Sequence, residues 1–302
     1  VAVAHMTQSR ESSLMSFLRR IGFESTAWAL RRFHTSVDPH ALVLEVGSGG
    51  NPYPRANVLL DAYETTRERH WAPLATDRPT VLGFVENLPF KDHAFDFVIA
   101  AHVLEHSADP ARFLAELQRV AKAGYIEVPD AFMERINPYR DHRLEITCRD
   151  HKLVIRKKSA WQHDPEVVEL YEDRVKPILT GDLIPRHPFQ FHVRYYWENR
   201  IAYEIVNPDV DAGWPAPVTH RDTPPMTVSA RVRQIARDFL RGLLSQRRRN
   251  ASIDLLPLLR CTACHATDLS RERQALRCVG CGMRFPLRKS VVAMNEGQKG
   301  KN

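Results

Sequence analysis

The amino-acid sequence predicts an α/β fold with a mostly parallel sheet and flanking helices. Short apolar segments recur along the first half of the chain, separated by polar or helical stretches, as the buried strands of such a sheet do. An amphipathic helix stands between the last two segments, and strand–helix–strand order is typical of a parallel sheet. The segments predicted as strands are 41–46, 57–62, 80–84, 95–100 and 124–129.

The amphipathic helix has clear boundary signals. Asp109 is a good N-cap, Pro110 suits the first helical position, and Gly124 is expected to end the helix. Because ligands of parallel sheets bind at the carboxyl ends of the strands, functional residues are expected at that edge.

Further patterns surround the predicted sheet. Residues 11–34 carry apolar positions at helical spacing and indicate a helical cap packed on the main domain. Residues 143–158 alternate about a polar turn and predict a β-hairpin, and residues 189–206 predict a long strand. Both are expected to complete the sheet. The predicted regions are an N-terminal helical cap (1–36), a main domain (37–206), a proline-rich linker with a basic amphipathic helix (207–250) and a small cysteine-containing domain (251–296).

Composition favours a globular protein. A chain of 302 residues with 43% hydrophobic content can bury a full core and has room for one large and one small domain. No apolar run approaches the roughly 18 residues that span a bilayer, and the first six residues are too short for a signal-peptide core. We therefore expect a cytoplasmic protein without a transmembrane segment.

A glycine turn follows the first predicted strand. Glu45 ends that strand, and Gly47, Ser48 and Gly49 form the turn. Asp61 ends the next strand, so two carboxylates are expected to flank the turn at one edge of the sheet. An acid in the second position typically binds ribose hydroxyls, and glycines let a ligand approach the backbone.

The connection after the glycine turn is short and contains two prolines. Only six residues separate Gly50 from Asn57, fewer than a helical crossover needs, so the first crossover helix is expected to be missing or reduced to a turn. Pro52 and Pro54 also disfavour the helix N-terminus that a phosphate ligand would need.

Three segments resemble the class I S-adenosylmethionine-dependent methyltransferases of the ubiquinone-biosynthesis-like type (methyltransferase type 11): LEVGSGG at 44–50, ENLPFKDHAFDFVIAAHVLEH at 86–106 and DPARFLAELQRVAKAGYIEVP at 109–129. The resemblance implies a Rossmann-like fold, S-adenosylmethionine as cofactor and methyl transfer as activity. It implies the following contacts: Glu45, Gly47, Ser48 and Gly49 with the methionine part, Asp61 with the ribose, Glu86 and Asn87 beside the adenine, and the backbone of Ala101 and His102 under the sulfonium.

Two positions depart from the family's pattern. Asn51 stands at the family's third glycine, and Phe84 replaces an acid that often holds the adenine amine. Adenine would then be held by packing and backbone contacts. A non-catalytic protein that keeps the fold is an alternative, because a fold does not by itself establish an activity.

The segment HVLEH at 102–106 also matches the His-x-x-Glu-His pattern of some zinc peptidases. The segment follows a sheet strand and shows no third ligand, so a metal site is not predicted here. His102, Glu105 and His106 could line the substrate side. His106 is the candidate general base, since neutral imidazole accepts a proton near neutral pH.

Four of the five cysteines form two Cys-x-x-Cys pairs near the C-terminus. Four thiolates at this spacing can surround Zn²⁺, and in a chain that is not exported the pattern indicates metal binding rather than disulfides. The predicted structural zinc ligands are Cys261, Cys264, Cys278 and Cys281.

Residues 255–294 resemble small zinc-ribbon proteins that activate methyltransferases acting on tRNA, rRNA and a translation release factor. The start, LLPLLRCTAC, and the end, LRCVGCGMRFPLRKSVVAM, carry this resemblance. It implies that the ribbon stabilises the catalytic domain of its own chain and takes no part in catalysis.

The net charge of +7 is concentrated in one segment, because residues 226–250 hold seven arginines and a single acid. Val232, Ile235, Phe239 and Leu243 would share one helical face there. A helix packed on its own protein is the default prediction, and a nucleic-acid contact or a membrane-surface helix are alternatives. An RNA contact would use Arg247, Arg248 and Arg249.

The sequence is compatible with two classes of methyl acceptor. A small molecule, lipid or glycan is favoured because the amino-group methyltransferase motif is absent after the fourth strand. A tRNA or rRNA acceptor is the alternative, because of the ribbon and the arginines.

Overall fold

The computed structural model describes residues 12–34, 36–66, 73–136, 138–162, 164–215, 228–288 and 291–299. The chain divides into two compact units. The first unit comprises Val1–Pro39, Ala100–Ala111 and Ala123–Thr219, and the second comprises His40–Ile99, Arg112–Lys122 and His220–Asn302. Each unit is described by itself below.

The helices and strands have the following bounds. The helices are α1 Ser13–Arg20, α2 Glu24–Leu30, α3 Pro110–Val120, α4 Ala131–Ile136, α5 Pro165–Leu170, α6 Lys176–Ile178, α7 Ile184–Arg186, α8 Pro188–Phe191, α9 Val228–Leu244 and α10 Arg247–Ala251. The strands are β1 Val43–Val46, β2 Val58–Asp61, β3 Thr80–Leu82, β4 Phe95–Ala101, β5 Ala121–Pro129, β6 Leu144–Arg149, β7 Lys152–Lys157, β8 His192–Glu198, β9 Tyr203–Ile205, β10 Leu269–Arg271, β11 Ala275–Cys278, β12 Met283–Arg288, β13 Val291–Ala293 and β14 Gln298–Lys299.

A sheet with a parallel centre forms the core of the second unit. Its strand order is β10-β11-β12-β13-β3-β2-β1-β4, and β1, β2, β3 and β13 pair in parallel. The central strands are buried along their whole length. The predicted Rossmann-like class is confirmed, and the C-terminal residues form strands β10 to β14.

The connection between β1 and β2 contains no helix, as predicted from its length. The chain turns through the proline segment and enters β2 beside Asn57, whose side chain is completely buried. The Asn57 side-chain oxygen Oδ1 accepts a hydrogen bond from Val43 N at 3.0 Å. Its amide nitrogen donates to Asn250 Oδ1 at 2.8 Å and to Gln246 Oε1 at 3.0 Å. One buried amide therefore connects β1 to the polar side chains of the basic segment.

In the first unit, β5 pairs antiparallel with β8, and a separate three-stranded sheet has the order β6-β7-β9. The predicted hairpin is confirmed as β6 and β7, but it lies in this separate sheet and does not extend the main one. The predicted long strand at 189–206 is also wrong in its length. It is interrupted after Glu198, and β9 pairs in parallel with β7. The polar segment WENR contains Asn199, whose φ of 61° breaks the extended conformation.

Two further sequence-based predictions need correction. Helix α3 ends at Val120, and Gly124 lies inside β5, because the chain passes directly from helix to strand without a glycine cap. The apolar face of α9 is not packed on its own protein at the four positions named from the sequence. Val232, Ile235, Phe239 and Leu243 are between 59% and 68% exposed.

Among the helices of the described residues, none is long and apolar enough to cross a membrane.

We expect Asn57→Ala to lower the free energy of unfolding by about 2–4 kcal/mol, because the substitution removes the acceptor of a buried backbone N–H and the donor to the buried Asn250 side chain. Urea unfolding followed by circular dichroism measures the change. Gln298→Ala removes an exposed side-chain amide and is the matched control. A loss in Asn57→Ala no larger than in this control would contradict the assigned role of the Asn57 side chain.

Candidate functional site

The glycine turn after β1 adopts a conformation that only glycine takes without strain. Gly47 and Gly49 have φ angles of 64° and 57°, in the left-handed region. Ser48 between them is 4% exposed, and its hydroxyl is buried without a hydrogen-bond partner among the described residues. A buried hydroxyl without a partner is unfavourable by itself, so this turn offers a polar group to a ligand.

The two predicted carboxylates lie on either side of this turn and hold the neighbouring loops. Glu45 is buried, and its Oε2 accepts a hydrogen bond from Tyr53 N at 2.7 Å. This bond fixes the proline segment. Asp61 Oδ2 accepts from Gly49 N at 3.0 Å, which ties the end of β2 to the glycine turn. A carboxylate has about four acceptor positions, so Asp61 can hold the turn and accept from a ligand hydroxyl together.

Aromatic side chains lie beyond the ends of β2 and β3. Tyr63 and Phe84 are 51% and 43% exposed, and their rings pack edge to face with centroids 5.9 Å apart. Sequence reasoning named Phe84 only as a departure and missed Tyr63, although its position directly after Asp61 was a usable signal. This exposed pair offers an apolar surface of the kind that adenine contacts.

Glu86 and Asn87 belong to the short turn Val85–Asn87 that follows β3. Glu86 is half-buried. The Asn87 side-chain amide donates to the Thr262 carbonyl at 3.0 Å. Thr262 lies between Cys261 and Cys264, the first of the two cysteine pairs. That contact was not predicted from the sequence.

In the first unit, Ala101 ends β4 and His102 follows with a left-handed φ of 57°. The His102 amide donates to the Glu127 carbonyl at 2.8 Å. Its ring lies between two buried carboxylates, with Nδ1 3.5 Å from Glu105 Oε1 and Nε2 3.3 Å from Glu127 Oε1. His102 is therefore at the end of β4, as predicted, with a side chain engaged by acids.

The charges around His102 determine its protonation. Burial lowers the pKa of His102, but the negative charges of Glu105 and Glu127 beside its ring raise the pKa above its ordinary value. Burial raises the pKa of Glu127, whereas the hydrogen bonds and charges of Arg31 and His102 hold the pKa well below its usual range. His102 is thus an imidazolium near neutral pH and cannot serve as a base.

His106 is oriented by a backbone acceptor. Its Nδ1 lies 3.1 Å from the Asp141 carbonyl oxygen, and because a carbonyl only accepts, Nδ1 carries the proton. In the neutral ring Nε2 then has a lone pair. The predicted base is consequently oriented with one nitrogen available for a proton or a metal ion.

The comparison with family models matches residues 44–126 to the methyltransferase domain. The matched segment covers less than a third of the chain. The match agrees with the prediction of an S-adenosylmethionine-dependent methyltransferase over these residues, which include the glycine turn, Asp61, His102 and His106.

Solved structures of low similarity match parts of this chain. A SAM-dependent methyltransferase from Thermotoga maritima is 20% identical over 43% of this chain and 71% of its own, with a TM-score of 0.30. One from Aquifex aeolicus is 20% identical over 39% and 73%, with a TM-score of 0.26. A chain in the complex of a Haloferax volcanii methyltransferase activator is 17% identical over 46% and 76%, with a TM-score of 0.28. No curated protein matches the chain.

The four predicted zinc ligands come together in the second unit. Their sulfur atoms all lie within 4.8 Å of one another. Cys261 Sγ is 3.7 Å from Cys281 Sγ, and Cys264 Sγ is 3.5 Å from Cys278 Sγ. Sulfurs at about 2.3 Å from a tetrahedral zinc ion lie about 3.8 Å apart, so the four residues fit the metal. Burial raises the pKa of Cys261 to about 12, and zinc would displace that proton.

The C-terminal domain contacts the rest of the second unit through backbone pairing. Strand β13 extends the parallel sheet, with Val292 opposite Val81. The Asn295 side chain donates to the Ala62 carbonyl at 2.7 Å, next to Asp61. Arg260 N donates to the Pro89 carbonyl at 3.0 Å. These contacts reach both segments that lead to the predicted ribose and adenine positions.

The basic segment contacts the glycine turn. Arg241 Nη1 donates to the Gly50 carbonyl at 3.2 Å, and its Nε donates to Asp77 Oδ2 at 3.0 Å. Arg249 donates to the His40 carbonyl, while Arg247 and Arg248 are exposed. Of the three arginines proposed for RNA, one therefore has an intramolecular role, and sequence reasoning had no signal for either contact.

We expect Cys278→Ser to abolish metal binding at the four-cysteine cluster and to lower the free energy of unfolding by more than about 2 kcal/mol, because β11 to β13 depend on the knuckles for their position. Cobalt substitution checks this through loss of the thiolate-to-cobalt charge-transfer band. Cys148→Ser, an exposed thiol on β6, is the control and should change neither quantity. A retained thiolate band in Cys278→Ser would refute the cluster.

Proposed function

We propose that the protein is an S-adenosylmethionine-dependent methyltransferase whose acceptor is a small molecule, a lipid or a glycan. The observation that carries the proposal is the buried, unpartnered Ser48 hydroxyl within a left-handed glycine turn that two carboxylates flank. A turn of this kind suits a zwitterionic ligand with amino, carboxylate and ribose groups.

The residues of the second unit would divide the cofactor among them. The backbone and hydroxyl of Gly47, Ser48 and Gly49 would hold the methionine part, together with Glu45. Asp61 would accept hydrogen bonds from the ribose hydroxyls at the lone pairs of its carboxylate that Gly49 N does not use. Glu86 and Asn87 would lie beside the adenine.

The aromatic pair Tyr63 and Phe84 could hold adenine in place of the acid that the family often has at position 84. Tyr63 and Phe84 expose ring surface next to Asp61, and an adenine ring gains packing energy from such a surface without a charged partner. The replacement of the family's acid by Phe84 therefore need not weaken binding.

When bound, S-adenosylmethionine supplies a methyl group activated by its sulfonium charge. The chain's own contribution is orientation of the acceptor and removal of its proton. His102 is an imidazolium whose Nδ1 faces Glu105 and whose Nε2 faces Glu127. His106, with a lone pair on Nε2, is the only one of these two histidines that can receive a proton or bind a metal ion.

The C-terminal zinc ribbon would stabilise the catalytic domain in cis. Its strand β13 covers the edge of β3, and Asn87 and Asn295 join it to the segments around the cofactor residues. An exposed sheet edge is prone to association with other chains, and the ribbon removes that edge. The four cysteines would take no part in catalysis.

An RNA acceptor is the alternative that the exposed Arg247 and Arg248 favour. Arg241 and Arg249 are used within the chain, which reduces the charge available to phosphates. Small molecule, lipid or glycan thus stays the preferred class. A non-catalytic scaffold is the rival of another class, and cofactor binding separates it from both.

We expect calorimetry to show binding of S-adenosylmethionine by the full chain and a loss of about 10- to 100-fold in affinity for Asp61→Asn, since hydrogen bonds to a charged carboxylate are lost. The asparagine keeps an oxygen for Gly49 N, so the turn can stay folded. Asp150→Asn in the exposed hairpin turn is the matched control. Absence of binding by the wild-type chain would overturn the enzyme proposal, whereas an unchanged affinity in Asp61→Asn would overturn only the role of Asp61.

The acceptor class can be decided by following an isotope-labelled methyl group from S-adenosylmethionine into fractions of a cell extract by mass spectrometry. We expect the label in the small-molecule, lipid or glycan fractions, at a rate that Arg247→Gln with Arg248→Gln leaves unchanged. Label in tRNA or rRNA that falls with added salt and is lost in the double variant would establish the RNA alternative instead.

A further inference from the structure

The first unit contains a buried carboxylate that the proposed cofactor site does not use. Glu105 is 2% exposed, and neither of its carboxylate oxygens has a hydrogen-bond partner among the described residues. Its nearest cationic group is His102, with Nδ1 3.5 Å from Oε1. A buried charge without hydrogen bonds is costly, so a further partner for Glu105 is to be expected.

Two histidines lie beside this carboxylate. His106 is the next residue in the chain, and His142 is brought in from the loop before β6. The contact depends on the backbone, because Arg143 N donates to the Glu105 carbonyl at 2.7 Å. Each of the three side chains offers a ligand atom within 4.8 Å of the other two. The rings of His106 and His142 pack edge to face with centroids 4.7 Å apart.

Both imidazoles are oriented through Nδ1. His106 Nδ1 donates to the Asp141 carbonyl, and His142 Nδ1 contacts the Glu134 carboxylate, which Lys158 Nζ also contacts at 3.0 Å. Metal-binding histidines are commonly held in this way by a carbonyl or carboxylate, which leaves Nε2 as the ligand. Glu134 is as deeply buried as Glu105.

We propose that Glu105, His106 and His142 form a binding site for a divalent transition-metal ion. Two imidazoles and one carboxylate suit zinc, manganese or ferrous iron, and three protein ligands leave coordination positions for other molecules. The ion would give Glu105 the partner that it lacks. It is distinct from the zinc of the four-cysteine cluster, which belongs to the second unit.

The consequence for chemistry rests on the proposed methyltransferase function. A metal ion with open positions binds and polarises an acceptor oxygen, which lowers the pKa of a hydroxyl and makes a separate general base unnecessary. His106 then acts as a metal ligand in place of a base. The acceptor class that this site fits is an oxygen nucleophile, such as a hydroxyl or a pair of neighbouring hydroxyls.

Manganese titration of the full chain, followed by electron paramagnetic resonance of the free ion, tests the site. Mn²⁺ prefers nitrogen and oxygen ligands over thiolates, so the cysteine cluster does not interfere. We expect a single equivalent of Mn²⁺ to bind, and Glu105→Gln and His142→Ala each to weaken binding by more than about 100-fold. Glu134→Gln keeps all three ligands and should weaken binding by about 10- to 100-fold. His93→Asn, an exposed histidine, is the control and should bind as the wild type does.

Zinc content after dialysis gives a second measurement. The wild-type chain should hold one equivalent more than Glu105→Gln, and circular dichroism confirms that each variant is folded. Should a ligand variant fail to fold, Glu134→Gln decides the outcome. Failure of the wild type to bind Mn²⁺ or this extra zinc, or equal binding by the folded ligand variants, would overturn the metal site. Because the titration is done without S-adenosylmethionine, it can fail while cofactor binding and methyl transfer persist, and the converse result would refute the methyltransferase proposal alone.

Discussion

The first unit is organised around one buried charge. Glu127 on β5 is completely inaccessible to solvent, and a carboxylate in that position costs several kcal/mol unless cations and donors surround it. Arg31 supplies two hydrogen bonds of 2.7 Å, His102 lies at 3.3 Å, and the Tyr125 hydroxyl donates to the same group. Arg31 in turn stacks on Trp28, with its guanidinium carbon 3.7 Å from the ring centroid. One carboxylate thus fixes the turn after α2 and the residue that follows β4, which explains how an N-terminal helical segment can influence residues of the candidate site.

The second unit depends on a different constraint, the edge of a parallel sheet. Strand β3 has only three residues, and without a neighbour its outer backbone groups would be unpaired. Strand β13 supplies that neighbour, and Met294 N continues the pairing by donating to the Leu82 carbonyl at 2.9 Å. Strands β10 to β14 are short, so their order depends on pairing with one another and with this sheet. The short segments after β2 and β3 therefore join the C-terminal residues to the residues around the glycine turn.

Much of this organisation could be predicted from the sequence, and the limits have physical causes. Apolar runs such as Val43–Val46 identify buried strands because the whole strand is inside, and four cysteines at knuckle spacing identify their own partners. The separate sheet containing β9 was missed because alternation predicts a strand but not the sheet that it joins. The exposed face of α9 was missed because periodicity shows amphipathicity and not what covers it. The proposed metal cluster depends on His142, which is 36 residues from His106 and which nothing local marks as a ligand.

The two histidines of the HVLEH pattern have different surroundings in the structure, which the sequence pattern does not show. The spacing of its two histidines matches a single metal site of some zinc peptidases, yet each histidine has a different electrostatic partner. His102 joins Glu127 and Arg31, an ion network in which the carboxylate is already satisfied by donors. Glu105 is buried and lies 3.5 Å from His102 Nδ1, and neither of its carboxylate oxygens has a hydrogen-bond partner among the described residues. A buried carboxylate without a hydrogen bond, beside two imidazoles whose Nδ1 atoms are engaged, is the half of the motif that can hold a cation.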